Sequence, residues 1–370
     1  MRDQRLVKLA DVLVNYSTKV KPGERVFIRG ESVTEPLLAE LARKVIEAGA
    51  HPEILVELPD VMECLLREGN AEQIETPSLC FQTMAEKADV MLYVWGSANL
   101  KANSRIDPAK LGQRRKARSK AGELMDEREA RGEFRWCGTQ FPTQADAQEA
   151  EMSLTEFEEF VYGAGMIDRE NPAEEWEKIG REQQRWVRYL NGKKELHYRA
   201  KGTDIRVSVA GRNWISCAGE ANFPDGEIFT SPVEDSMNGV VHFTYPAVYG
   251  GREVEGVTLT VKDGKIVEAT ATKGEEYLRA MLDIDERARY FGEVAIGTNY
   301  GIRTFSKNIL FDEKIGGTMH MAAGNSIPGT GGKNISALHW DFICDMSEGE
   351  ITADGEVFYR NGQFLINVLD

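Results

Sequence analysis

The sequence predicts an α/β N-terminal domain with a parallel sheet, followed by an α+β, strand-rich C-terminal domain, and three features carry that expectation. Strand and helix patterns alternate through the N-terminal part, a helix-stop signal stands at Asn191-Gly192, and "VKDGKIVEATA" marks a hairpin around Asp263-Gly264. Leu6, Leu9, Val12 and Leu13 recur at helical spacing, so the chain begins with an amphipathic helix, and "GERVFIRG" reads as the first strand. "TEPLLAELARKVIEAGA" is a helix ending near Gly49, "HPEILVEL" a second strand and "ADVMLYVWG", residues 88 to 96, a third. Strand, helix, strand implies right-handed crossovers and parallel pairing. No phosphate fingerprint sits on the turns. Residues 108 to 133 are heavily charged at helical spacing and read as a solvated helix face, with a substrate carboxylate as the alternative partner for their arginines. A helix from residue 173, "AEEWEKIGREQQRWVRYLNGK", ends at the stop signal, and from "KELHYRAKGTDIRVSVAG" onward strands and turns dominate. The expected domains are therefore 1–192 and 193–370. "AAGNSIPGTGGKN" reads as a loop between ordered elements.

Composition narrows the setting. A chain of 370 residues with 42% hydrophobic content is long enough for about two globular cores. Sixty acidic against forty-five basic side chains leave a net charge of −15, which disfavours nucleic acid and membrane surfaces as partners. Cys64, Cys80, Cys137, Cys217 and Cys344 are odd in number, scattered and never spaced CxxC, so they read as buried thiols in a reducing compartment. "MRDQRLVKLADVLVNY" is broken by charge every few residues and no apolar run long enough to span a bilayer follows, so the expected compartment is the cytoplasm.

The polar residues of the C-terminal half point to metal chemistry. In "GGKNISALHWDFICD", His339 and Asp341 stand two apart, which on a strand projects both from one face about 7 Å apart. A hydrogen-bonded core pair is the plainer reading. His320 in "GGTMHMAAGNS" is a second histidine in an apolar setting. Glu227 in "ANFPDGEIFTSPVEDS" follows a turn, where a solvated carboxylate would be ordinary; Glu293 in "RARYFGEVAIGTN" is flanked by apolar residues and is either exposed by a bend at Gly292 or coordinated, since burying an unpaired charge is costly. Together Glu227, Glu293, His320, His339 and Asp341 form an oxygen and nitrogen set suited to zinc, cobalt or manganese rather than calcium. Five ligands exceed one structural zinc. They suit two ions about 3.5 to 4 Å apart sharing a carboxylate and a water, which is hydrolytic chemistry. Phosphate binding by "GNSIPGTGGKN" fails on spacing, because a phosphate loop ending at Gly332-Lys333 needs glycine at 327 and Ser or Thr at 334, where Ile327 and Asn334 stand.

Several long stretches resemble, in the right order, the thermophilic metalloaminopeptidase family of the aminopeptidase T and leucyl aminopeptidase type. These are "FPDGEIFTSPVEDSMNGVVHF", "FGEVAIGTN", "GTMHMAAGNS" and "GGKNISALHWDFICDM", with "TQFPTQADAQEAEMSL" in support. The resemblance runs over nearly the whole chain. It implies that Glu227, Glu293, His320, His339 and Asp341 are the metal ligands, with Glu227 and Glu293 in addition the candidate catalytic residues. It implies removal of N-terminal residues from peptides, two divalent ions, and an elongated homodimer whose active sites face an enclosed cavity. Asp225, Glu234 and Asp235 are candidates for holding the substrate ammonium. One position departs from the pattern. Where family members usually carry a tyrosine seven residues after the isolated histidine, this chain has Ile327. Tyr290 and Tyr300 lie near Glu293 in sequence as other hydroxyl sources. The departure leaves a second reading, a weakly active or non-catalytic homologue that binds metal and peptide.

Overall fold

A computed structural model of the chain describes residues 2–365. Its contacts divide it into two compact units, the first running to residue 173 and including 219–224, the second comprising 174–218 and the chain from 225 onward. The boundary expected near residue 192 falls at the end of the helix Pro172–Leu190, whereas this division falls at its start.

The first unit is built on a five-stranded sheet. His51–Glu57, Arg25–Glu31, Val90–Trp95, Arg135–Gln140 and Asn222–Phe223 lie side by side in that order, and every pairing is parallel. Val26, Ile28, Val90, Leu92 and Val94 are buried because these strands are covered, while the edge strand His51–Glu57 leaves Ile54 and Val56 exposed. The helix Glu35–Glu47 forms where expected: Leu37, Leu38, Leu41 and Val45 recur on one buried face, and Gly49 turns the chain out at φ 76°. The opening helix, Gln4–Asp11, is capped by Asp3 and widens into a π-helical stretch, Val12–Ser17. The charged helix Pro108–Ala130 buries only Ala121. Its Arg114 donates to the carbonyls of Ile74 and Thr76 and Arg128 to that of Ala85, so these arginines tie down their own unit instead of waiting for a carboxylate.

Two sequence expectations need correction or extension. Cys137 and Cys344 are buried, but Cys64 and Cys80 are exposed, because the helices Pro59–Glu68 and Leu79–Lys87 turn Leu66, Met84 and Ala85 inward instead. Those two helices, and Ala71–Glu75 with its Asn70 capping box, were not legible between the second and third strands. Among the described residues no helix is long and apolar enough to cross a membrane.

The second unit holds an eight-stranded antiparallel sheet and a five-stranded one. The larger runs Lys265–Thr270, Thr258–Lys262, Asn238–His242, Thr203–Ser208, Glu195–Ala200, Glu350–Ala353, Glu356–Arg360, Gln363–Phe364. Its first two strands form the expected hairpin, with Asp263 at φ 48° and Gly264 at φ 77°, the two left-handed positions that the tight hairpin turn demands. The smaller runs His339–Asp345, Thr318–Gly324, Phe291–Gly297, Glu227–Thr230, Ile215–Cys217, antiparallel throughout. Ile228, Val294, Ile296, Met319, Met321 and Phe342 of this sheet join Tyr198, Val207 and Leu259 of the larger one in a single buried cluster. Alternation along each strand then sends Glu227, Glu293, His320, His339 and Asp341 to the opposite face.

Candidate metal centre

Register assembles these five residues. Glu227 pairs with Gly297, His320 with Ala295, Glu293 and Asp341 each with Ala322, and His339 with Gly324. On their other sides Glu227 pairs with Cys217 and His320 with Ile343. The glycine and alanine neighbours leave room beside the long polar side chains, a consequence of sheet register.

Glu293 enters through a bulge. The register between its strand and Thr318–Gly324 shifts between Phe291 and Glu293, so Gly292 is the extra residue. A Cβ on Gly292 would lie 2.0 Å from the Asn325 carbonyl oxygen, which explains the glycine. The same carbonyl sits 2.9 Å from His339 Nδ1. Since a carbonyl only accepts, Nδ1 carries the proton and Nε2 faces inward, 3.3 Å from Glu293 Oε2 and 3.7 Å from Asp341 Oδ1. His320, 1% exposed, places Nε2 3.0 Å from Glu227 Oε2 and 3.6 Å from Glu293 Oε1.

Potential ligand atoms therefore fall into two overlapping groups, Glu227–Glu293–His320 and Glu293–His339–Asp341, each with its atoms within 4.8 Å of one another. Glu293 belongs to both. Two buried atoms of the set, His320 Nδ1 and Asp341 Oδ1, have no hydrogen-bond partner among the described residues, while Glu227 Oε2 is met by the His320 ring at 3.0 Å. Buried polar atoms are nearly always satisfied, so such orphans need an explanation.

The electrostatics of the cluster suit a bound cation. Burial alone would drive both imidazoles to their neutral form; the carboxylates override it, raising His339 to about 10 through Asp341 and Glu293 and His320 well above its ordinary value through Glu227 and Glu293. Burial pushes Glu293 up, but His320 and His339 hold it down at about 2. Asp341 rises, mainly through burial and against the pull of His339. In the chain alone, protons on the histidines do the work a divalent ion could do, and the donor types and spacing fit such an ion.

Neighbours that sequence reasoning missed complete the surroundings. Lys314, fully buried, bonds Glu313 and lies 3.7 Å from Glu227 Oε1. Glu313 forms a further possible ligand group with His320 and Asp341, and Cys217 one with Asp225 and Glu227. The Cys217 thiol is pushed far up by burial and by the nearby charges of Asp225 and Glu227, so it stays protonated. The signal for Lys314 was present in "LFDEKIGG", a charged pair wedged between apolar residues shortly before His320.

Other candidate residues are placed differently. Glu234 is already engaged by Arg212, at 2.8 and 2.7 Å, and by the backbone N–H of Lys333 at 2.6 Å, which removes it as a free ammonium binder. Asp235 is exposed, and Asp225 is 2% exposed beside Glu227. Tyr300 donates its hydroxyl to the Gly362 carbonyl at 2.9 Å, and the Tyr290 ring is covered by the Arg287 guanidinium. Ile327 is half-buried, two residues beyond Asn325.

Comparison with known proteins is consistent along the whole chain. The family model described as thermophilic metalloprotease (M29) matches residues 2–364. Aminopeptidase 2 of Geobacillus stearothermophilus is 29% identical over 98% of each chain, and Aminopeptidase T of Thermus thermophilus is 30% identical over 79% of this chain and 77% of that one. Among solved structures, wild-type AmpT from Thermus thermophilus matches with a TM-score of 0.87 at 26% identity, covering 98% of this chain and 99% of that chain.

Proposed function

The chain belongs to the thermophilic metalloprotease (M29) family and is a metal-dependent hydrolase of peptide bonds, and from that premise we propose that it is an aminopeptidase working through two divalent ions held by Glu227, Glu293, His320, His339 and Asp341. The observation that carries the reading is the sharing of Glu293 between two ligand groups. One ion would be held by Glu227, Glu293 and His320 and a second by Glu293, His339 and Asp341, with Glu293 serving both. The donors accept zinc, cobalt or manganese. Bound there, the pair would supply a Lewis acid for the scissile carbonyl and an activated water near neutral pH.

The chain's own residues do the rest. The Asn325 carbonyl fixes the His339 tautomer so that Nε2 is presented to the ion. Glu227 and Glu293, the proposed catalytic carboxylates, carry the negative charge that draws cations in and would hold them at the site. Asp225, buried beside Glu227, and the exposed Asp235 are the acidic side chains proposed to meet a substrate ammonium. The segment 193–370 is proposed as the catalytic domain, and a cytoplasmic homodimer as the working form. The competing reading of a weakly active binding homologue rests on Ile327.

Two results are expected. Metal must displace protons from His320 and His339, so affinity should rise with pH across the range below about 10, the value of His339 in the chain alone, by roughly tenfold per pH unit for each proton released. Calorimetric titrations in buffers of different ionisation enthalpy read the protons directly; heats independent of buffer would contradict this. Second, a peptide with a free α-amino group should be trimmed from its N-terminus while its acetylated twin resists. Equal cleavage of both, followed by mass spectrometry, would rule out an aminopeptidase.

A further inference from the structure

Behind the five proposed ligands lies a buried ion pair that the reaction as described does not use. Lys314 follows the short helix Ile309–Asp312, and its side chain has no exposure. Its backbone is held tightly: the N–H donates to the Phe311 carbonyl at 3.1 Å, and the carbonyl accepts from Asn299 N–H at 3.0 Å. A Cβ on Gly297, the cross-strand partner of Glu227, would lie 2.2 Å from the Ile315 carbonyl oxygen and 3.0 Å from the Lys314 carbonyl carbon, so this segment is pressed against the sheet beside Glu227. The ammonium thus reaches Glu313 and one oxygen of Glu227, Oε1, from inside the protein. The other oxygen, Oε2, faces His320 at 3.0 Å.

This arrangement resolves an ambiguity in the ligand geometry. His320 and Asp341 can group with Glu313 as well as with the two sets that share Glu293. A carboxylate bound to an ammonium is a poor metal ligand, because the cation competes for the same lone pairs. Burying an ammonium without full pairing is costly, so its retention beside the site calls for a role.

We propose that Lys314 is a positioning residue of the metal centre: its ammonium binds Oε1 of Glu313 and lies 3.7 Å from Oε1 of Glu227, so that Glu227 turns Oε2 to the ion and Glu313 is kept from coordinating. The inference rests on the two-metal reading above. Lys314 also neutralises one of the carboxylates crowded there.

The test uses the full chain loaded with cobalt(II), whose visible absorption weakens as coordination number rises. Lys314→Met should release Glu313 to the ion, lowering the visible absorption per cobalt and reducing kcat by at least about tenfold with a smaller change in KM, as is usual when a partner that orients a ligand is lost. Lys314→Arg, which keeps the charge, should retain the spectrum and most of kcat. Lys314→Met/Glu313→Gln removes the released ligand together with its partner, and should restore the wild-type spectrum and part of kcat. That double variant also leaves no unpaired charge from this pair, so it remains measurable should Lys314→Met fold poorly. A spectrum and kcat unchanged in Lys314→Met, or a double variant no closer to wild type than the single one, overturns the inference while the wild-type protein still binds two ions. Fewer than two ions in the wild type overturns the two-metal reading and this inference with it.

Discussion

Glu293→Ala should empty both metal positions at once and lower kcat/KM for peptide hydrolysis by roughly three orders of magnitude or more, since bound ions contribute several kcal/mol of transition-state stabilisation. Glu293 is the one residue common to both ligand groups, 3.6 Å from His320 through one oxygen and 3.3 Å from His339 through the other. On the two-ion reading, its removal would take an oxygen ligand from each ion. Glu227→Ala and Asp341→Ala each touch only one group, so each should weaken one ion more than the other and leave a protein with close to one ion per chain. Elemental analysis of protein purified without chelator separates these patterns, with circular dichroism to confirm that the buried sheet has survived the substitution. A Glu293→Ala protein that is folded and still holds its metal, or that retains wild-type turnover, would show that Glu293 is a structural carboxylate.

Ile327→Tyr is expected to raise kcat, by roughly a hundredfold to several hundredfold if the hydroxyl reaches a developing oxyanion, since one such donor is worth about 3 to 4 kcal/mol. The loop bearing Ile327 begins at Asn325, whose carbonyl already orients His339, so its position is coupled to the metal centre. Thr330 Oγ1 donates to the Ile327 carbonyl at 2.7 Å, and Asn334 is tied to Arg287 and to the Gly324 carbonyl, so the loop has internal support to carry a larger side chain. Tyr300 is committed to the Gly362 carbonyl. The gain should appear in kcat with a smaller change in KM and in metal content, the pattern of an interaction made mainly in the transition state. Steady-state kinetics at matched metal occupancy decide. An unchanged or lower kcat would mean that another donor serves here and that tyrosine only crowds the pocket.

The parts of the fold written in short periodicities were legible in the sequence. The helix Glu35–Glu47 announces itself by Leu37, Leu38, Leu41 and Val45, and the hairpin at Asp263-Gly264 by its turn residues. The helices Pro59–Glu68 and Leu79–Lys87 were not, because each buries only one or two side chains. At the site, His339 and Asp341 were readable as a pair because two residues on one strand face one way; their meeting with Glu227 and Glu293 depends on register among strands far apart in sequence, which no local pattern encodes. Lys314 and the Asn325 carbonyl escaped notice for the same reason. A buried lysine looks like a surface one until its neighbours are known, and a backbone acceptor has no sequence signature. Glu234 erred in the other direction, since an acidic residue near the ligands looks available until Arg212 is seen to hold it.

The most direct measurement is anomalous diffraction from crystals of the metal-loaded protein. The five-ligand reading predicts two peaks roughly 3.5 to 4 Å apart. One should be bounded by Glu227 and His320, the other by His339 and Asp341, with a Glu293 oxygen on each. A single peak, or an ion seated instead among Glu313, His320 and Asp341, would contradict it.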